Sequence, residues 1–352
     1  MNTITVCASK TYDVKIGSNL YAELGSFANR LVKAKKVAII SDSNVWPLHG
    51  GTVQASLEHE GFEVLHYVFP AGESSKNGNT YLSILNFLAE NHFTRSDLLV
   101  ALGGGVVGDM TGFVAATFLR GVAYIQIPTT LLSMVDSSVG GKTAIDLPAG
   151  KNLAGAFYQP ILVLCDIQSL NTLPHEIFCE GCAEVIKYGI LYDAQLFEHL
   201  KTHGLAFDRE TVITRCIELK RDVVADDEFD RGTRQKLNLG HTIGHGIEAA
   251  SNFGLSHGAS VAIGMAIVAK AAATYGICSA DTAETIRRVL EAFQLPTTTA
   301  ISSSVIYQNA LSDKKRSGNT VNLIIPETIG QCKIKTVSLE EMKSFIETGL
   351  SL

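Results

Sequence analysis

Three observations predict the architecture of this 352-residue chain as an α/β half built on a parallel sheet, followed by a mostly α-helical half. Between about residues 37 and 164, short apolar runs rich in β-branched residues alternate with stretches of helical period. Beyond about residue 170 the pattern is helical almost throughout, and within the first half a glycine-rich turn joins one apolar run to the helix that follows it. With 46% hydrophobic residues, the chain exceeds the size at which single cores stop growing, so two domains are expected, 1–170 and 171–352.

The first strand is "KVAIISDSN", followed by a helix near 50–60 and the strand "FEVLHYVF". A helix near 79–91 leads to "DLLVALGGG", a helix near 107–118 to "VAYIQIPTT", and the last strand of the half is "PILVLCD". Continuous apolar strands separated by helices imply a parallel sheet covered on both faces. "NTLPHE" (171–176), with Pro174 at a helix start, marks the boundary. Helical stretches follow at 175–190, 208–225, 239–250, 257–275 and 280–293, and "TVNLIIPETIGQCKIKTV" reads as a short strand pair.

A formal net charge of −6 with interspersed signs gives no global field for nucleic acid or an anionic membrane, so any basic site is local. Seven cysteines, an odd and scattered set, and a start without a cationic or apolar signal core point to the reducing cytoplasm. Cys179 and Cys182 form a CxxC, but no second pair accompanies it, so they read as small packing residues. The most apolar region, 98–135, is broken by Asp109, Arg120 and glycines, so no uninterrupted membrane span is expected.

In "LVALGGGVVGDMTG", Gly103, Gly105 and Gly108 satisfy G-x-G-x-x-G after a strand and at a helix start. Such glycines let a phosphate approach backbone N–H groups at the positive end of a helix, as the turn of a dinucleotide-binding unit does. The strand is not the first, and no acidic residue follows about 20 positions on, so close helix–strand packing also accounts for the glycines. Asp42, at the end of an earlier strand, offers a carboxylate for ribose hydroxyls, and "AGESSK" ends another. In "SSVGGKT", Asp136 stands where a triphosphate-binding loop needs its first glycine, so that motif fails. Lys142 and Lys151 remain as local cations.

His241 and His245, four apart in "LNLGHTIGHGIE", share one helix face. A metalloprotease would carry glutamate directly after the first histidine; here Thr242 takes that place. His257 lies sixteen residues on, before the next helix, and "CAEVIKYG" offers Glu184 with Lys187 three residues later. A His/His/Glu metal site and buried, hydrogen-bonded histidines are both open on these residues alone. Arg234, Asn238, His241 and His245, spaced four, three and four, put a cation, an amide and two imidazoles on one helical face and its approach, which read as the wall of a site for a polyhydroxylated anion. The acidic run "ADDEFD" (225–230) reads as a solvated loop without a role.

Standing in one order, "GGGVVGD", "PTTLLSMVDSSVGGKTAID", "GKN", "AEVIKYG", "NLGHTIGHGIE", "HG" and "DKK" resemble the 3-dehydroquinate synthases from about residue 37 to 330. The resemblance implies a homodimeric, cytoplasmic enzyme of the shikimate pathway that uses NAD and a divalent metal, zinc first and cobalt second. As metal ligands it implies Glu184, His241 and His257, with His245 left near a phosphate. For NAD it implies Asp42, the loop Glu73, Ser74, Ser75 and Lys76, and the glycine turn Gly104, Gly105, Val106, Val107, Gly108 and Asp109. Thr129, Thr130 and Asp136 join this set, as do Lys142 and Lys151 and, near the boundary, Ser169, Leu170, Asn171, Thr172 and Leu173. Catalytic roles are implied for Lys142, Asn152, Lys187, His245 and Arg120, the last reaching the phosphate of the neighbouring subunit. Arg234, Asn238 and one of Lys314 and Lys315 would hold a carboxylate. One departure is Asp146, in "AIDLPAGKN", where an amide is usual.

The implied reaction turns a seven-carbon sugar acid phosphate into a carbocycle by transient oxidation, β-elimination of phosphate, re-reduction and internal aldol closure. A metal-dependent polyol dehydrogenase of the glycerol type is the nearest rival, but a neutral polyol does not need Lys142, Lys151, Lys187, Arg234 and the Lys314–Lys315 pair. A cyclase for another sugar phosphate is the second rival, and Arg234 and Asn238 favour a carboxylate-bearing substrate. A non-catalytic binding paralogue would have lost a ligand or a lysine; none is lost.

Overall fold

Consecutive residues of a strand point to opposite faces, so an unbroken apolar run such as Val37 to Ile40 demands cover on both sides. The computed structural model describes residues 1–252, 254–311 and 319–351. Its elements begin with β1 (Asn2–Cys7), β2 (Thr11–Gly17), α1 (Leu24–Leu31), β3 (Lys36–Asp42), α2 (Gly51–His59) and β4 (Glu63–Phe69). They continue with α3 (Gly78–Glu90), β5 (Leu98–Gly103), α4 (Gly105–Thr117), β6 (Ala123–Pro128), β7 (Lys142–Leu147), β8 (Gly150–Phe157) and β9 (Leu162–Asp166). Then come α5 (His175–Tyr192), α6 (Ala194–His203), α7 (Arg209–Asp226), α8 (His241–Ala250), α9 (His257–Thr274), α10 (Ala280–Ala292) and α11 (Ser303–Ala310). A hairpin of β10 (Thr320–Thr328) and β11 (Gln331–Ser338) precedes the last helix, α12 (Leu339–Leu350).

The chain forms two compact units, Met1–Pro174 with Arg209–Phe229, and His175–Asp208 with Asp230–Leu352. In the first, seven strands lie in the order β1-β2-β9-β6-β5-β3-β4, parallel except for the β1–β2 pair. Val37, Ile39, Leu98, Val100 and Leu102 pack on one face with Leu24, Val53 and Leu57 of α1 and α2. Ala38, Ile40, Leu99 and Ala101 pack on the other with Ile84 and Leu88 of α3 and Met110 and Val114 of α4. The cover on both faces expected from the continuous apolar runs is therefore realised residue by residue. The chain runs from β3 outward to β4, then returns to place β5 on the other side of β3, so the strand order reverses between β3 and β5. Open parallel sheets bind ligands outside the carboxyl ends of strands at such a point.

Three features of this unit lie outside the sequence reading: the β1–β2 hairpin that extends the sheet beyond β9, helix α1, and the separate β7–β8 hairpin. The helix expected at 208–225 forms as α7 and packs against β1 and β2 of this unit. In the second unit α9 is the central element, packed by α8, α5, α10 and α12. From Val261 to Ala269 every residue of it is buried, so this stretch is core on all sides. It is also the one described helix long and apolar enough to cross a membrane by composition, and 72% of its apolar window is buried.

Candidate active site

At the switch point of the first unit, Asp42 ends β3 and Gly103 ends β5. Helix α4 starts there without a side-chain cap, so the first-turn N–H groups of Gly105, Val106 and Val107 have no intrahelical acceptors. A Cβ on Gly108 would lie 2.9 Å from Gln126 Oε1, so this glycine serves the packing of α4 on β6. Asp42 Oδ1 accepts from the backbone N–H groups of Asn44 and Val45 (2.9 and 3.0 Å), which fixes the carboxylate at the strand end. Thr129 Oγ1 is buried and makes no hydrogen bond, while Thr130 is tied to Ser133. An uncapped helix start, a fixed carboxylate and a buried hydroxyl with spare capacity fit a dinucleotide.

Around this crevice the lysines are paired. Lys76, buried, donates to Asp109 Oδ2 (2.7 Å) and to Asn152 Oδ1 (2.6 Å). Burial works to lower the Lys76 pKa, but Asp109 beside it more than offsets this and the ammonium is held above its ordinary range. Lys151 faces Glu73 at 3.4 Å, and Asp136 is ion-paired with the buried Lys220 of α7. Asp146 accepts the N–H of Asn152 (2.7 Å), which holds Asn152 at a left-handed φ of 54°. Lys142, Ser74 and Arg120 are exposed, Arg120 at φ 67°, while Ser75 is buried. On the segment after β9, Ser169 and Leu170 are buried and Leu173 is half-buried; Asn171 accepts from Arg209, and Thr172 meets His49 at 2.9 Å.

The second unit holds the Glu and His residues. Glu184 is fully buried on α5, and neither of its carboxylate oxygens makes a hydrogen bond of acceptable geometry. Lys187, 1% exposed, is ion-paired with Oε2, while His241 Nε2 and His257 Nε2 approach Oε1 at 3.4 and 3.5 Å. His257 opens α9, whose N-cap Ser256 accepts from Ala259 N. A Cβ on Gly258 would lie 2.2 Å from the carbonyl oxygen of Glu180, so only glycine lets this first turn close on α5 one turn from Glu184. The ligand atoms of Glu184, His241 and His257 lie within 4.8 Å of one another, and His245, Glu248 and His257 form an overlapping trio. A buried carboxylate whose Oε1 faces two converging imidazoles fits a divalent cation of the zinc type.

The protonation states of Glu184 and His241 suit this use, while His257 must give up a proton. Burial works to raise the Glu184 carboxyl, but Lys187 and His241 hold it well below the ordinary range. Burial lowers His241 to about 3, so its imidazole is neutral, with Nδ1 donating to the Leu239 carbonyl (3.0 Å) and Nε2 left as the ligand atom. Burial also works to lower His257, but Glu184 and Glu248 push it up to about 9 in the metal-free protein.

One reading of the sequence is made more specific here and one is corrected. Arg234 and Asn238 do not share a continuous α-helical face with His241 and His245: they lie on a 3-10 turn, Thr233–Asn238, and Gly240 at φ 77° separates that turn from α8. Arg234 is nonetheless buried, and Asn238 Nδ2 donates to the Gln235 carbonyl (2.9 Å). The acidic run is also not merely solvated, since the Glu228 carboxylate accepts from Ser9 N, Ser9 Oγ and Gln159 Nε2. Glu248 and Lys220 were given no role from the sequence; for Glu248 the signal was its place three residues after His245, whereas nothing local marks Lys220. Lys314 and Lys315 lie outside the described residues.

A dinucleotide-type crevice in one unit and a Glu–His–His cluster in the other fit a dinucleotide- and metal-dependent enzyme, and two solved sugar phosphate cyclases share this fold over the whole chain. The solved 2-deoxy-scyllo-inosose synthase, complexed with carbaglucose-6-phosphate, NAD+ and Co2+, matches with a TM-score of 0.89 and 26% identity over 99% of this chain and 100% of its own. ValA, the 2-epi-5-epi-valiolone synthase of Streptomyces hygroscopicus subsp. jinggangensis with NAD+ and Zn2+ bound, matches at 0.88 and 26%, covering 98% of each chain. Residues 66–180 match the 3-dehydroquinate synthase N-terminal family and residues 181–316 its C-terminal counterpart. The 3-dehydroquinate synthase of Streptococcus suis is 43% identical over 343 residues, 96% of this chain and 97% of that protein. The chain belongs to the 3-dehydroquinate synthase family.

Proposed function

We propose that this chain is a 3-dehydroquinate synthase, converting 3-deoxy-D-arabino-heptulosonate 7-phosphate to 3-dehydroquinate and inorganic phosphate in the shikimate pathway. The observation that carries the reading is the buried Glu184–His241–His257 cluster with the Lys187 ammonium against it, in a chain of this family. When bound, NAD supplies a hydride acceptor that is regenerated within the cycle, and zinc or cobalt supplies a Lewis acid for adjacent hydroxyls. Glu184, His241 and His257 would hold the metal. In a domain spanning roughly 1–170, Asp42 would accept hydrogen bonds from the ribose hydroxyls and the first turn of α4 would hold the pyrophosphate. The Thr129 and Thr130 side chains, the Glu73–Lys76 loop and the 169–173 segment complete that pocket.

In the helical domain, the Arg234 guanidinium pairs with the substrate carboxylate, and Asn238 and one of Lys314 and Lys315 assist it. Lys187 neutralises negative charge that develops on substrate oxygen during β-elimination, and His245 donates to the leaving phosphate. Lys142, Lys151 and Asn152, with Asp136 to orient cations, supply further charge stabilisation. Arg120 is assigned to the phosphate held by the neighbouring copy of a homodimer, and the seven cysteines, none in a disulfide among the described residues, accord with the cytoplasm. The test is phosphate release from this substrate at catalytic concentrations of NAD and metal, run beside other sugar phosphates. Stoichiometric accumulation of NADH would place the chain with the polyol dehydrogenases instead, and preference for another sugar phosphate with a different cyclase.

A further inference from the structure

We propose that Glu248 is a positioning residue for the metal ligand His257, accepting the Nδ1–H of that ring and thereby fixing which nitrogen faces the cation; this rests on the metal reading of Glu184, His241 and His257. Glu248 lies on α8 seven residues after His241 and three after His245, on the same helix face. Its side chain is 6% exposed, and Oε2 is 3.6 Å from His257 Nδ1. The other nitrogen of that ring, Nε2, is 3.5 Å from Glu184 Oε1. The two nitrogens of His257 thus face two different carboxylates.

An imidazole that offers the Nε2 lone pair to a cation carries its proton on Nδ1, and a carboxylate accepting that proton sets the ring angle and strengthens the ligand. His241 is held in the same sense by a neutral acceptor, the Leu239 carbonyl. His257 is the more exposed of the two ligands, its side chain 35% exposed against 10% for His241. Packing orients it less, and Glu248 supplies the missing constraint. The trio His245, Glu248 and His257 is close enough to hold a cation of its own. While the first cluster is filled, that would require both nitrogens of His257 as ligands and loss of its second proton, which neutral pH disfavours.

The experiment uses the full-length protein, with zinc affinity read by chelator competition and the His257 tautomer by 15N-histidine spectra. Glu248→Ala is expected to weaken zinc binding about 10- to 100-fold and to displace the protonated Nδ1 signal of His257. Glu248→Gln, which keeps an acceptor oxygen without the charge, is expected to fall between Glu248→Ala and the wild type. Both metal-free variants are expected to melt below wild type, because each loses the Glu248 charge beside His257, so zinc affinity is compared at a temperature where all three proteins are folded. Wild-type affinity in both variants overturns the proposal, as does a wild type that binds two zinc ions where Glu248→Ala binds one. Should Glu248→Ala not fold, Glu248→Gln decides: several-fold weaker binding supports the positioning role and unchanged binding overturns it. A wild type that binds no stoichiometric zinc, or a Glu184→Ala variant that keeps it, defeats the metal reading itself, whereas zinc lost only in Glu184→Ala defeats the positioning role alone.

Discussion

Replacing Glu184 by alanine removes a metal ligand and also takes away the carboxylate ion-paired with the buried Lys187 ammonium, 1% exposed. Breaking one side of a buried ion pair costs about 3–5 kcal/mol. The ammonium can escape by losing its proton, which from an ordinary pKa of about 10.4 costs about 4.6 kcal/mol at pH 7, taking 1.36 kcal/mol per pH unit. The two figures agree, so the metal-free variant is expected to melt roughly 6–20 °C below wild type, at about 2–4 °C per kcal/mol for a unit of this size. The deficit shrinks as pH rises toward 10, because the neutral amine then forms at less cost. Adding Lys187→Met removes the stranded charge and restores most of the lost stability, while metal stays absent in both variants. Calorimetry on metal-free proteins, with zinc content by atomic absorption, measures each effect. A metal-free Glu184→Ala protein melting within about 2 °C of wild type would refute the buried-charge argument, and zinc retained in that variant would refute the ligand assignment.

His245→Ala is expected to keep its zinc and to lose about 100-fold or more in phosphate release; loss of metal would place His245 among the ligands. Metal uptake should release about one proton at pH 7, since His257 is held up to about 9 without metal and must bind as the neutral ring. Its folded pKa is raised, so its stabilising pairing in the metal-free protein is complete below the ordinary 6.5 and is lost as pH rises through about 9, which calorimetry in buffers of differing ionisation heat and pH-dependent melting can follow. Asp42→Ala removes the acceptor of two backbone N–H groups as well as the ribose acceptor, and NAD affinity by titration calorimetry should fall at least about 10-fold. Gly258→Ala drives a Cβ to 2.2 Å from the Glu180 carbonyl, so melting should fall and zinc affinity should weaken with the displacement of His257; the expected cost is about 1–3 kcal/mol.

The sheet was legible because its strands are buried on both faces and so carry uninterrupted apolar runs, as in Val37–Ile40 and Leu98–Leu102. The β7–β8 hairpin was not, since its glycines, lysines and exposed Leu147, Leu153 and Phe157 give no apolar alternation to read. Helix α7 was visible as a helix, but periodicity reports which face is buried and not which unit buries it. At the site, the spacing of His241 and His245 gave a shared face without assigning a ligand. The position of His257 depends on Gly258 closing α9 against α5, a contact between residues far apart in the chain. Glu184 and Lys187 resemble an ordinary exposed helix pair in sequence, and only tertiary cover turns them into a buried couple. Lys220 meets Asp136 across 84 positions, which no local pattern can announce.

The return of α7 to the first unit has a consequence for how such a gene can be cut and recombined. Because residues 209–229 belong with 1–174, neither unit is a contiguous stretch of chain. A fragment ending at Pro174 would carry the sheet but not the helix that covers β1 and β2, and the complementary fragment would carry that helix without the strands it packs on. A single crossover cannot exchange one unit between relatives. Productive chimaeras must instead splice at both ends of the 209–229 insertion as well as near residue 174, so the two halves are inherited as a set.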